Sequence, residues 1–326
     1  MRLPRGPKRV LEQRLFTTLA SSALGIRIPF ERQLELASAN GFGALDLPVG
    51  HLLALSSSST VDQISQRFST RDLRSGGWQL PFDFMAPKAE FARGLRRLSR
   101  VASLAGQLRS EWCFYWIEPT SDELSFAANT AKHVERLRPI ADVLVENGCR
   151  IGLEPIGPQT LRLGHRYEFV HTISMALDLL SAIDRANVGL LLDCFHWYTS
   201  CGTVDELKGL AASQVVYVHL NDAPAGPSID EQLDDVRLLP GASGVIDITG
   251  FLRALDAIGY DGPVAVEPFD AELVRLPPKE RVRLAGRSLQ KVLAAAGVEV
   301  AIGAHPISRG ALAHDADPQQ GAGRNG

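Results

Sequence analysis

The chain has 326 residues, 45% hydrophobic and 22% charged, with a formal net charge of −3. These are ordinary globular values, with room for one large barrel or two average domains. The near-neutral charge excludes a global pull toward nucleic acid, and no apolar run approaches the ~20 residues that would cross a bilayer.

Residues 1–13 are basic, and no apolar core or small-residue cleavage site follows them. They read as a loose arm and not as a secretory signal. After them, strand-like and helix-like segments alternate. Residues 15–19 form a first strand. A helix over 30–39 carries Phe30, Leu34 and Ala37 on one face, with Gly41 as its stop. Residues 43–49 are a second strand. The polar, Ser-rich stretch 53–74 has no clear periodicity and stays unassigned. A third strand covers 78–84, a helix 91–104 and a fourth strand 112–117. A long helical pattern over 122–147 ends at Gly148.

Four runs then end alike: Ile151-Gly-Leu-Glu154, Val188-Gly-Leu-Leu-Leu-Asp193, Val215-Val-Tyr-Val-His219 and Pro263-Val-Ala-Val-Glu267. Runs that are apolar at every position read as strands covered on both faces, the mark of a parallel sheet. Helices over 169–183, 204–212, 248–258 and 279–295 separate or follow them, with Thr203 a candidate cap. Eight strand–helix units over this length predict a (β/α)8 TIM barrel. An open doubly wound sheet would carry a Gly-rich phosphate turn after its first strand, and none is present. Residues 14–298 are the expected barrel domain. Residues 299–326, rich in Gly, Ala, Asp and Gln, read as a disordered tail.

Each of the four runs stops on a metal-type ligand at the strand end where such barrels keep their active sites. Glu154, Asp193, His219 and Glu267 make a hard, mostly oxygen donor set. It suits one Mn²⁺ or Mg²⁺ ion and tolerates Co²⁺ or Zn²⁺. The cysteines, Cys113, Cys149, Cys194 and Cys201, form no CxxC pair and read as reduced thiols of a cytoplasmic protein. Cys194 reads as a neighbour of Asp193 that points away from the site.

Together Glu154-Pro-Ile-Gly157, Asp193-Cys-Phe-His196, His219-Leu-Asn-Asp222, Arg237-Leu-Leu-Pro-Gly241 with Gly244-Val-Ile-Asp247, and Val266-Glu267-Pro268 resemble the sugar isomerase/epimerase superfamily of xylose isomerase-like barrels. The resemblance covers residues 15–297. The ketose 3-epimerases of the tagatose and psicose type are the nearest well-understood relatives. It implies that Glu154, Asp193, His219 and Glu267 bind one divalent ion that stabilises an enediolate. It further implies that Glu154 and Glu267 serve as opposed catalytic bases, one removing a proton and the other returning one. In such enzymes His196 and Arg237 contact substrate. The plainer readings are a buried histidine bonded to backbone, and a salt bridge from Arg237 to Asp234 or Asp235.

The chain departs from the epimerases at Thr160, where they carry a second Glu, with Gln159, Arg162, His165 and Arg166 around it. Arg162 and Arg166 suit a phosphate or carboxylate, or are solvated arginines on a polar loop. Trp116 and Trp197 fall at strand ends, where they contact a sugar face or pack the rim. Asn221 and Asp222 read as neighbours of the ion or as turn formers.

The expected function is a metal-dependent isomerase or epimerase acting on a small-molecule sugar or sugar phosphate. An inosose dehydratase-like lyase is the alternative. An endonuclease IV-like nuclease is disfavoured, since no His occurs between His219 and His305 for a multi-zinc centre. No nucleic acid or membrane partner is expected, and a homo-oligomer stays open.

Overall fold

The computed structural model describes residues 14–301. Strands β1 (Phe16–Leu19), β2 (Ala44–Leu45), β3 (Arg74–Ser75), β4 (Trp78–Gln79) and β5 (Trp112–Ile117) come first. Then follow β6 (Thr120–Ser121), β7 (Arg150–Pro155), β8 (Tyr167–Glu168), β9 (Val188–Asp193), β10 (Val215–Leu220) and β11 (Pro263–Val266). The sheet order is β3-β2-β1-β11-β10-β9-β7-β5-β4, and every pair in it is parallel. The two end strands are successive pieces of one chain segment, so the sheet is a closed ring of eight strand positions. The third position is split at Gly76-Gly77, its first half pairing with β2 and its second with β5. The small ribbon β6–β8 is antiparallel and lies outside the ring.

The glycine pair at the split is forced by packing. A Cβ on Gly77 would stand 2.3 Å from the Tyr217 ring, and one on Gly76 2.3 Å from Thr18 Oγ1. Asp46, just past β2, turns inward at the same level. It accepts hydrogen bonds from Tyr217 Oη (2.5 Å), Thr18 Oγ1 (2.7 Å) and Gly77 N (2.8 Å). Burial pushes its carboxyl up to about 6 in spite of these donors. Ala20, Leu191, Tyr217 and Ala265 fill the barrel interior with Trp112 and Phe114 against them. A separate and much larger core lies between the sheet and the surrounding helices.

The expected architecture is present, with local differences. The second and third strands are shorter than 43–49 and 78–84. Asp46 leaves the second to enter the interior, and Pro48 precedes a helix over Val49–Leu55. The unassigned stretch 53–74 holds the end of that helix and all of another, Val61–Ser69. Thr60 and Gln63 close a capping box at the start of the second helix. The helix expected from 122 begins at Phe126, because Ser121 Oγ accepts from Glu123 N and Leu124 N in a turn. The helix expected from 169 begins at Ile173, capped by Thr172, since Tyr167–Glu168 is strand β8. Thr203 caps Val204–Lys208 as expected.

The basic arm 1–13 lies outside the described residues, as does the expected tail beyond 301. Barrel contacts run to the end of the description: Glu299 pairs with Arg14, and Ala301 N donates to Leu15 O. All four cysteines are free, with Cys113, Cys149 and Cys194 buried. Among the described residues no helix is long and apolar enough to cross a membrane.

The tight passage at the split gives a test. Gly77→Ala forces a methyl group against Tyr217 and the backbone carbonyl of Trp112. It should destabilise the barrel by about 1–3 kcal/mol, seen as a lower melting temperature. Gly50→Ala, in a helix with open space around it, should stabilise by about 0.4–1 kcal/mol. Equal melting temperatures for Gly77→Ala and the parent would refute the packing account.

Candidate metal centre

Strand register assembles the site. Asp193 and His219 are paired neighbours on β9 and β10. Glu154 ends the apolar part of β7. Glu267 directly follows β11 and donates its N–H to Leu220 O, extending the ladder by one residue. Continuous burial of β9 and β10 leaves their ligands no way out except the mouth of the barrel. One ligand atom from each of Glu154, Asp193, His219 and Glu267 lies within 4.8 Å of the others. His219 Nδ1 is turned into the cluster, 3.3 Å from Glu154 Oε1, 3.2 Å from Glu267 Oε2 and 3.9 Å from Asp193 Oδ2.

Such crowding of buried carboxylates is costly unless positive charge answers it. Arg237 supplies part of that charge. Its Nη1 donates to Asp193 Oδ2 (2.9 Å) and Glu267 Oε2 (3.1 Å), and its Nη2 to Asp234 Oδ1 (2.6 Å). Arg237 thus makes the salt bridge to Asp234 and also reaches two members of the cluster. The guanidinium lies between the Phe195 and Phe269 rings. Burial works against its charge, but Asp193, Asp234 and Glu267 hold it protonated.

The same competition sets the other groups. Burial raises Glu154 to about 7, helped by Glu267. Burial pushes Glu267 up as well, yet His219 and Arg237 bring it below the usual carboxylate range. Asp193 is raised, with burial outweighing Arg237. Burial disfavours charge on His219, but Glu267 and Glu154 hold its proton well above the ordinary imidazole value. A divalent ion in place of that proton would answer the same negative charge. Three carboxylates and an imidazole nitrogen, converging and buried, fit such an ion.

Neighbouring residues orient this set. Asp193 caps the helix Cys194–Thr199, with Oδ1 accepting from Phe195 N (2.6 Å) and His196 N (3.3 Å). Asn221 Nδ2 donates to both Asp193 oxygens, at 3.1 and 3.0 Å. Cys194 faces Asn221 and not the cluster. Asp222 accepts from the backbone N–H groups of Ala223, Ser243, Gly244 and Ile246. Its own backbone exchanges two hydrogen bonds with Leu238, next to Arg237. Asp222 thereby pins the loop that delivers Arg237.

His196 is buried beside Arg237, and burial drives its pKa well below the ordinary imidazole value. Both ring nitrogens face donors: Gly157 N–H points at Nδ1 (3.2 Å) and Arg237 Nη2 at Nε2 (3.2 Å). Nε2 also stands 3.9 Å from Glu154 Oε1. Trp116 is in register with Glu154 on β5, 37% exposed, stacked on Tyr115 and bonded to Glu118.

Arg162 is not brought to the cluster. It bonds Gly157 O and lies 3.6 Å from Glu168, bracing the loop whose Gly157 N–H holds His196. Arg166 lies over Tyr167. Thr160 Oγ1 donates to Gln232 O (2.9 Å), tying the loop after β7 to the loop before Arg237. Trp197 packs on Phe251 and away from the mouth. The Asp46–Tyr217 pair beneath the site carries no local sequence signal, since the two residues are 171 positions apart.

A family model described as a xylose isomerase-like TIM barrel matches residues 34–306. An inosose isomerase from Bacillus licheniformis is 31% identical over 163 residues, which is 50% of this chain and 55% of that protein. A 3-dehydroshikimate dehydratase from Pseudomonas aeruginosa is 32% identical over 193 residues, 58% of this chain and 28% of that protein. The chain thus spans about half or less of these curated relatives. A solved xylose isomerase domain protein from Alicyclobacillus acidocaldarius has a TM-score of 0.78 at 31% identity, covering 87% of this chain and 99% of that one. With its closed ring of parallel strands and the family match over most of its length, the chain belongs to the xylose isomerase-like TIM barrel family.

Proposed function

We propose that this chain is a divalent-metal-dependent isomerase or epimerase of a keto-sugar or related keto-polyol. Glu154, Asp193, His219 and Glu267 hold the ion, Mn²⁺ or Mg²⁺ by donor type, with Co²⁺ or Zn²⁺ as substitutes. When bound, the ion supplies Lewis acidity that makes the proton beside a substrate carbonyl easier to remove.

One observation carries the reading: ligand atoms of Glu154, Asp193, His219 and Glu267 all lie within 4.8 Å of one another at the buried mouth of the barrel. An epimerisation there needs one glutamate ionised to take the proton beside the carbonyl and the other protonated to return one from the opposite face. β7 and β11 stand three positions apart in the eight-membered ring, so the two carboxylates reach the cluster from its two flanks. His196 and Arg237 line the region beside Glu154 where a substrate oxygen would sit, and Arg237 holds that region positive. Trp116 offers an apolar ring face at the rim beside Glu154.

The lyase alternative uses the same proton removal and then expels hydroxide. The relative named a 3-dehydroshikimate dehydratase is what keeps it in view. Product analysis separates the two, because a lyase product has lost one water.

Protein purified without chelator should carry about one equivalent of divalent metal per chain, as expected of a single four-ligand cluster. Asp193→Ala and His219→Ala should each reduce it sharply, and unchanged metal content in both would remove the ligand assignment.

Metal uptake should also release protons. The ion needs Glu154 ionised and Nδ1 of His219 free, whereas both groups hold protons up to raised pKa values. Affinity should therefore rise with pH through about 7. Titration calorimetry in buffers of different ionisation enthalpy measures the released proton. An affinity that stays flat from pH 6 to 8, a window about 1 unit either side of 7, counts against this linkage.

Glu154→Gln and Glu267→Gln should each cut epimerisation by about 10²–10⁴-fold, with metal content checked in parallel. Turnover in deuterated water should place solvent label on the epimerised carbon. Product formed without label would mean internal hydride or proton movement, and would take the two-base role away from the glutamates.

A further inference from the structure

An arginine side chain has five N–H groups, and each of those on Arg237 faces a protein atom. Nη1 donates to Asp193 Oδ2 and Glu267 Oε2, and Nη2 points at Asp234 Oδ1 and His196 Nε2. Nε donates to the backbone oxygen of Asp234 at 2.8 Å. The guanidinium is thus engaged by the cluster on one edge and by Asp234 on the other. An incoming oxygen finds no open donor on it.

Asp234 is the member of this network that stays open. Its side chain is 27% exposed, against 2% for Arg237 and 3% for His196. Arg237 holds Oδ1, and no hydrogen bond meets Oδ2 among the described residues. Oδ1 stands 3.7 Å from His196 Nε2, which itself stands 3.9 Å from Glu154 Oε1. A polyol reacting at Glu154 carries hydroxyls over that span.

The carboxylate is set in place before anything binds. Val236 N donates to Leu233 O across the turn that carries Asp234. On one side of the turn Gln232 is fully buried, its Nε2 donating to Pro224 O and Pro227 O and its backbone oxygen accepting from Thr160. On the other, Arg237 N donates to Phe269 O at 3.2 Å. An acceptor held between two anchors loses little further freedom when it meets a hydroxyl.

Charge decides what it meets. The loop after β10, residues 221–247, holds six acidic residues and one cation, Arg237. On the loop after β7, Arg162 bonds Gly157 O and lies beside Glu168, and Arg166 lies over Tyr167 of the ribbon outside the ring. After β11, Arg275 is paired with Glu272. Nothing on these loops balances an anion brought against Asp234.

We propose that Asp234 is a specificity-determining residue: its carboxylate accepts a hydroxyl of the substrate beside Glu154 and repels an anion there, so that the chain takes an uncharged keto-polyol and not its phosphate ester. The reacting part of that substrate rests on the function proposed above, whereas the choice of hydroxyl over phosphate does not.

Mg²⁺-loaded protein is titrated by ligand-observed NMR with D-fructose, D-tagatose and D-xylulose, and with a phosphate monoester of each. At least one ketose should bind about tenfold more tightly than its ester, the weight of one hydrogen bond to a charged group. Asp234→Asn should bring that ratio toward one, weakening the ketose and admitting the ester. Asp234→Glu keeps the charge and should keep the ester excluded. Asp235→Asn, which removes the same charge at the exposed neighbouring position, should leave the ratio within about twofold. A carboxylate that only supported Arg237 would weaken ketose and ester alike when changed to Asn, leaving the ratio where it was. That result, equal binding of ketose and ester by the parent, or no binding of any ketose would each overturn the proposal. Where Asp234→Asn does not fold, an Asp234→Glu variant that admits the ester does the same. If the ratios come out as expected and no ketose turns over, the proposed function fails and the role of Asp234 stands. Turnover with a ratio that Asp234→Asn does not move has the opposite meaning.

Discussion

Like-charge crowding at the mouth of the barrel is the constraint on which the surrounding structure depends. Glu154, Asp193 and Glu267 converge on one imidazole nitrogen with almost no water to separate them. Three buried carboxylates repel one another strongly in a low-dielectric setting, so every element near them is arranged to answer or distribute that charge. Arg237 bridges Asp193 and Glu267, His219 sits between all three, and the first turn of Cys194–Thr199 points its N–H groups at Asp193. The opposed shifts of Glu154 and Glu267 follow from unequal shares of this compensation. Arg237 bonds Glu267 but not Glu154, so the proton stays on Glu154.

The compensation depends in turn on the loop between β10 and the helix Ile248–Ile258. Arg237 reaches the cluster because Asp222 gathers the N–H groups of Ser243, Gly244 and Ile246 and pairs with Leu238. A carboxylate that accepts several backbone donors is a strong local anchor. Asn221, one residue earlier, sets both oxygens of Asp193. The short segment His219-Leu-Asn-Asp222 thus supplies a member of the cluster, the orienter of a second member, and the anchor of the cation that balances them.

Strands β7 to β11 carry the charged chemistry of the mouth. Beneath it, the Asp46–Tyr217 pair and the split at Gly76-Gly77 close the barrel.

The sequence by itself determined the ring and the four strand-end residues that converge at its mouth. Strands covered on both faces must be apolar at every position, so a lone Glu, Asp or His ending such a run is conspicuous. That is why β9 has its expected bounds, and why the four residues now found together were legible one by one. Short or interrupted strands such as β2, β3 and β4 left no such pattern, because their bounds are set by where Asp46 and the glycine pair meet Tyr217 across the interior. Tertiary structure alone decided that Arg162 braces a loop while Arg237 enters the cluster, since two arginines on polar loops look alike until their partners are in place. It alone decided which glutamate keeps its proton, because that depends on distances to Arg237 and His219 that no local pattern encodes.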